Sequence, residues 1–150
     1  MQNLKHLGNK EKKSLFKKIE DQYGIDDLKL DYLFFKNNEG RIFIINKNFR
    51  NLSINDINLN SIGLYFCRLD KELRFSIEGS QIIGHLAKKN VIELDDNNSK
   101  SWLKGEDVEY AKEKCDETFV ILKNKGDYIG SGKYKDGKIL NYVPKERRKK

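Results

Sequence analysis

The chain has 150 residues, 37% hydrophobic and 35% charged, with a formal net charge of +7 and a pI near 9.3. That length makes one ordinary domain or two small ones, and the basic balance favours a polyanion such as nucleic acid as partner over a basic substrate. There is no run of about 18 apolar residues to span a membrane and no signal-peptide apolar region in residues 1–10, so a cytoplasmic protein is expected.

Residues 9–23 read as the first helix. Leu15, Phe16, Ile19 and Tyr23 recur at helical spacing, with lysines and acids on the other face. Asn9 is placed to cap its start and Gly24 to end it, and Leu4 and Leu7 are expected to fold back on it. Residues 30–36 and 41–46 read as two strands. The turn between them, Asn37-Asn38-Glu39-Gly40, is rich in residues that accept positive φ. Residues 48–59 are Asn-rich and irregular, with room for a short helix after Arg50. A dense apolar strand is expected at 63–69, a turn at 70–72 and a further strand at 73–77. Residues 78–87 then read as helical, with Ile82, Ile83 and Leu86 facing inward; Gly79 and Gly84 weaken that helix.

A boundary is expected at Lys88-Lys89-Asn90. It is short and carries no Pro or Ser run, which points to two closely packed domains, residues 1–89 and 90–150. Beyond it come a strand at 91–94, several capping residues from Asp95 to Ser99, and a short helix holding Trp102 and Leu103 that Gly105 terminates. Residues 109–117 are charged and read as a loop or a solvated helical turn. Three strands follow at 118–123, 128–134 and 139–143, with turns at 124–127 and 135–138. The second turn carries Asp136-Gly137, among the stronger hairpin signals. Pro144, the one proline, lies just past the last strand, where its missing N–H does no harm. The charge is uneven along the chain. Lys123 to Lys150 hold 10 Lys and Arg against 3 acids, whereas residues 1–122 hold 20 of each sign, so the entire net charge sits on the last 28 residues.

Catalytic and metal chemistry find no pattern. Cys67 and Cys115 are 48 positions apart, and His6 and His85 are scattered, so no zinc-ligand spacing exists. Both cysteines read as buried or partly buried thiols of a reducing compartment. No glycine-rich nucleotide motif joins a strand to a helix, and Gly130-Ser131-Gly132 is too short and lies inside a strand. Asp26-Asp27 and Asp95-Asp96 are adjacent pairs, and helix capping accounts for the second better than acid–base chemistry. The expectation is a chain with no catalytic residue, no metal and no cofactor.

The order from residue 91 onward is a strand, a short helix with W-L-K-G-E-D-V, then strands with Y-I-G-S-G-K-Y. It resembles the PUA domain, a small pseudo-barrel RNA-binding module. The tail GDYIGSGKYKDGKILNYVPKERR is similar to the PUA-like domain that ends NOL1/NOP2/Sun-type rRNA cytosine methyltransferases. The whole layout looks like the Nip-type ribosome-biogenesis factors. Its first helix, SLFKKIEDQYG, and the segment GLYFCRLDKELRFSIEGSQII are similar to their N-terminal domain. The resemblance implies an α+β protein, with a small N-terminal α/β domain packed on a C-terminal PUA-like pseudo-β-barrel.

It further implies a non-catalytic RNA-binding protein, docking structured rRNA precursor or tRNA by phosphate contacts in ribosome biogenesis. A ribosome-assembly or RNA-modification protein would be a further partner. Three alternatives stand beside it: an RNA-targeting module serving an rRNA or tRNA modification enzyme in trans, a protein–protein adaptor whose basic end serves solubility, and, last of the three, an enzyme acting on a nucleoside in RNA. PUA-type binding needs glycines where RNA can approach the main chain, and cations around them. Gly105, Gly130 and Gly132 are candidates for the approach, with ordinary turns or close strand crossings as the alternative. Lys104 is the first candidate cation, followed by Lys123, Lys125, Lys133 and Lys135, with Arg147 and Arg148 on the tail. Tyr134 and Tyr142 either stack on bases or pack in the barrel, Trp102 reads as core, and Lys149 and Lys150 as a disordered end.

Overall fold

Leu15, Ile19 and Tyr23 lie one helical turn apart, and all three are fully buried along one face of α1 (Asn9–Tyr23). The computed structural model describes residues 4–47, 63–110 and 118–150. The helix ends at Gly24, whose left-handed φ of 66° only glycine adopts without strain. Its start differs from expectation. Gly8 is the cap and Asn9 the first helical residue, and the Glu11 carboxylate accepts the Gly8 N–H.

Under α1 lies an antiparallel sheet, in the order β1 (Lys5–His6), β2 (Tyr32–Lys36), β3 (Arg41–Asn46), β4 (Leu64–Leu69) and β5 (Leu73–Phe75). Residues 4–7 do fold back, but as an edge strand: Lys5 and His6 pair with Lys36 and Phe35. Ile42 and Ile44 of β3 join Phe34, Phe66 and Phe75 in the core against α1. The strand expected over 73–77 stops at Phe75. Ser76 turns the chain and its hydroxyl accepts the Gly79 N–H at 2.9 Å, which starts α2 (Ile77–Ile83) one residue earlier than expected. Such a cap contributes about 1 kcal/mol. The remainder of the expected helix, Gly84–Leu86, is a 3-10 turn. The short helix expected after Arg50 and Cys115 both lie outside the described residues, as does most of the 109–117 stretch.

The second sheet is five-stranded and curled into a half-barrel. Its order is β6 (Val91–Glu93), β8 (Phe119–Asn124), β9 (Asp127–Lys135), β10 (Lys138–Asn141) and β7 (Val108–Glu109). Only β6 and β8 are parallel, and α3 (Asp96–Leu103) carries the chain between β6 and β7. Val108, expected only to be apolar, opens the short strand β7 that closes on β10. Trp102, Val120, Leu122 and Ile139 are the fully or almost fully buried centre of this half. The chain is therefore α+β.

The two sheets are fastened together. Ile121 of β8 packs into the core beneath α1. Gln22 Nε2 and the Tyr23 hydroxyl both donate to the Phe119 carbonyl, at 3.1 and 3.4 Å. The Gly130 N–H donates to Ser80 Oγ at 3.1 Å, joining β9 to α2. The segment expected as a boundary is itself anchored, because the Lys88 and Lys89 amides both donate to the Tyr23 carbonyl and Asn90 Nδ2 donates to that of Gln22.

Candidate nucleic-acid interface

Asp95 opens α3 by accepting the Asn98 N–H at 2.7 Å, and the helix runs until Trp102 reaches the core. The indole N–H donates to the Ile129 carbonyl at 3.0 Å, pinning α3 onto β9. Lys104 follows, exposed at the helix end. The C-terminal tail returns here rather than fraying. The Lys149 N–H donates to the Leu103 carbonyl at 2.8 Å, satisfying a helix-end acceptor, so the expectation of a disordered Lys149 is corrected. A 3-10 turn at Lys145–Arg147 aims Arg147 at α2, where its two terminal nitrogens grip both Glu78 oxygens at 3.0 and 3.2 Å.

These contacts wall an open groove of about 600 Å3. Ile77, Gln81 and His85 form one side, Leu103, Arg147 and Lys149 the other, and Tyr128 and Ile129 the end of β9 between them. The Tyr128 ring lies flat against Gly84, where a Cβ would overlap it, and Lys123 Nζ sits 5.5 Å from the ring centre. The structure thus lines the groove with Arg147 and Lys149, sets Lys123 against its Tyr128 wall, and leaves Lys104 next in sequence to its lining residue Leu103. Tyr128 is an aromatic wall that spacing did not single out.

The other candidates are spread along β9, Lys125 beside the groove residue Gly126 and the rest farther off. β9 is nine residues long, so the turns at its two ends are roughly 26 Å apart at about 3.3 Å per residue. Lys125 is at one end and Lys135 at the other. Lys125 pairs with Asp96 at 2.9 Å, which, with Asn124, holds the Asp96 carboxyl below its ordinary range. Lys133 points at the first sheet and is held by both Glu72 oxygens at 2.7 and 3.0 Å.

The three glycines are internal rather than open. A side chain at Gly132 would collide with Trp102, Ile139 and the Leu140 carbonyl. Gly130 is buried at φ 114° between Ile77 and the indole of Trp102, and Gly105 is covered by the Arg148 side chain. Arg148 in turn donates from Nε to the Val143 carbonyl at 3.0 Å. Close packing accounts for glycine at position 132, and a positive φ, 96° and 114°, for Gly105 and Gly130.

Sequence reasoning also missed a row of arginines. Arg41 on β3 lies opposite Arg68 on β4, and Arg68 opposite Arg74 on β5. Like charges placed directly across strands repel, so such a row is a departure from ordinary sheet chemistry. Part of it was legible, since Arg68 and Arg74 sit symmetrically about the expected turn at 70–72. Tyr142 is 39% exposed, set edge-on to Phe119 with the Arg74 guanidinium 4.6 Å from its ring centre. Tyr134 packs edge-on to Tyr110 and against the second core, the packing alternative of the two.

Among the described residues, no three His, Cys, Asp or Glu side chains gather as a metal site, and no helix is long and apolar enough to cross a membrane. No curated protein matches the chain. Residues 89–149, about two-fifths of the chain, match the family model described as the PUA domain of methyltransferase RsmF. The match takes in α3, the curled sheet and the returning tail, and residues 89–149 are thus a PUA-like domain similar to that of RsmF-type methyltransferases.

Proposed function

We propose that this protein binds structured RNA in the groove between α2, the start of β9 and the returning tail. The PUA-domain match over residues 89–149 is the observation that carries this reading. The groove adds to it: Lys149 lines it, Lys123 Nζ stands against its Tyr128 wall, Lys104 follows its lining residue Leu103, and Arg147 lines it while paired with Glu78. Phosphates would be met by cations fixed on a sheet, a helix end and an anchored tail, and counterion release would favour the complex. The RNA we propose is rRNA precursor, and the role is recognition without catalysis. The model matched is that of a methyltransferase's domain, which favours rRNA modification over other steps of ribosome biogenesis. In that role the chain presents RNA to a catalytic unit outside these 150 residues.

The test is fluorescence anisotropy with an rRNA hairpin over roughly 50 to 200 mM salt. Affinity should fall steeply as salt rises. Changing Lys104 and Lys149 to Glu should weaken binding several-fold and flatten the log–log salt dependence by roughly 0.7 to 0.9 per lost phosphate contact. A double variant that binds as the wild type does would remove the groove from consideration. A wild-type protein that binds no RNA at any salt would end the reading altogether.

A further inference from the structure

The groove has one neighbour of a different character. A recessed cleft of about 160 Å3 shares Ile77 and Arg147 with it, so the Arg147–Glu78 bridge stands between the two. Both halves of the protein line the cleft: Arg41, Tyr65 and Arg74 from the first sheet, Ser131 from the second and Tyr142 from just past its β10.

Its arginines are already ordered. The Arg41 guanidinium lies 5.5 Å from the Tyr65 ring centre, and that of Arg74 lies 4.6 Å from Tyr142 and 6.0 Å from Phe119. A guanidinium laid on a ring keeps its N–H edge available for an anion and its outer face available for a planar group. Their acids stand off: Arg41 Nε pairs with Glu39 only at 4.0 Å, and among the described residues Arg74 makes no ion pair within 4.0 Å, though together with the Glu72 N–H its charge helps hold the Asp70 carboxyl below its ordinary range. Arg68, between them in the row, is drawn to Asp70 at 3.5 Å. Of the two acids on the cleft, Glu78 is occupied by Arg147, and Glu146 is exposed. An anion therefore relieves the repulsion that the register of β3, β4 and β5 imposes.

We propose that the cleft takes one unpaired nucleotide of an RNA whose paired part lies in the groove, and this rests on the RNA reading above. Arg41 and Arg74 hold the phosphate, and the base stacks on the Arg74–Tyr142 pair. The recess excludes a paired base, because the ring must leave its helix to enter. The arrangement gives the first sheet a share in recognition.

The experiment compares two RNAs with the same hairpin stem, one blunt and one with a short single-stranded extension carrying 2-aminopurine. Wild-type protein should prefer the extended RNA by about tenfold, the worth of one stacked base, and should quench the 2-aminopurine. The variant Arg41→Gln/Arg74→Gln should lose the preference and the quench yet hold the blunt hairpin to within about twofold, because the groove is untouched. A preference that survives in the variant, or none in the wild type, overturns the proposal while groove binding stands. Binding of neither RNA by the wild type sinks the RNA reading, and the cleft with it. Quenching reversed by an acidic peptide more readily than by RNA would reassign the cleft to a protein partner.

Should the variant not fold, 4-thiouridine in the extension tests the wild type directly. Crosslinks to the peptides carrying Tyr65, Arg74 or Tyr142 are expected. Crosslinks confined to the groove overturn the idea.

Discussion

Tyr23 and Cys67 are buried titratable groups, and burial pushes both upward from their ordinary values. The Tyr23 hydroxyl is tied to Gln22 and to the Phe119 carbonyl. For both groups the folded state favours the protonated form. At neutral pH folded and unfolded chains alike keep the protons, and stability does not respond. Above about 8.5 for the thiol and about 10 for the phenol, the unfolded chain releases a proton that the folded chain keeps. Stability therefore falls as pH rises, by at most about 1.4 kcal/mol per pH unit for each group. Urea unfolding at a series of pH values should show this loss. Tyr23→Phe should make the fall between about pH 10 and 11 shallower, and Cys67→Ala the fall below it. Identical pH profiles in variants and wild type would contradict the account. At the same scale, Lys133 shows why a cation in the sequence is not a cation on offer: Glu72 has already claimed it.

Among the elements, the α3–β9 contact decides the shape of the second half. Trp102 lies over Gly132, and no side chain fits between them. Gly132→Ala should cost about 1 to 3 kcal/mol through overpacking, measured as a lowered urea midpoint with an unchanged slope. Gly126→Ala is the control, with open space around it and strain only from its φ of 92°, so about 1 kcal/mol is expected. The reverse order would mean that Trp102 is not the constraint. α2 behaves in the same way. Gly79 lets the helix approach β4 so closely that a Cβ would collide with the Phe66 carbonyl, and Gly84 makes room for Tyr128. The glycines that made 78–87 a doubtful helix are the ones that let it pack.

For the molecule as a whole, the fastening between sheets bears on how it unfolds. Ile121 belongs to the first core, and the Phe119 carbonyl serves Gln22 and Tyr23. Two sheets joined in this way should lose their order together. Calorimetry of the full chain should give one transition whose calorimetric and van't Hoff enthalpies agree. Residues 90–150 alone should be markedly less stable, since Ile121 would meet water. Two separate transitions would show halves that are independent of each other.

Much of this architecture follows from the order of residues alone. The bounds of α1, the Asn37–Gly40 and Asp136–Gly137 turns, eight of the ten strands among the described residues and the basic C-terminal end are local matters of periodicity, glycine and charge, which a chain displays before it folds. The destination of each charge is not local. Whether Lys133 meets Glu72, Arg147 meets Glu78, or Arg41 lines up with Arg68 and Arg74 depends on register and on the way one sheet leans on the other. The need for glycine was likewise hidden: at 132 it lies in Trp102, distant in sequence, and at 105 and 130 in a positive φ that the tertiary path of the chain imposes. A side chain's type is fixed by its codon, but its partner is fixed by packing, so the groove and the cleft existed only once the two sheets had closed together.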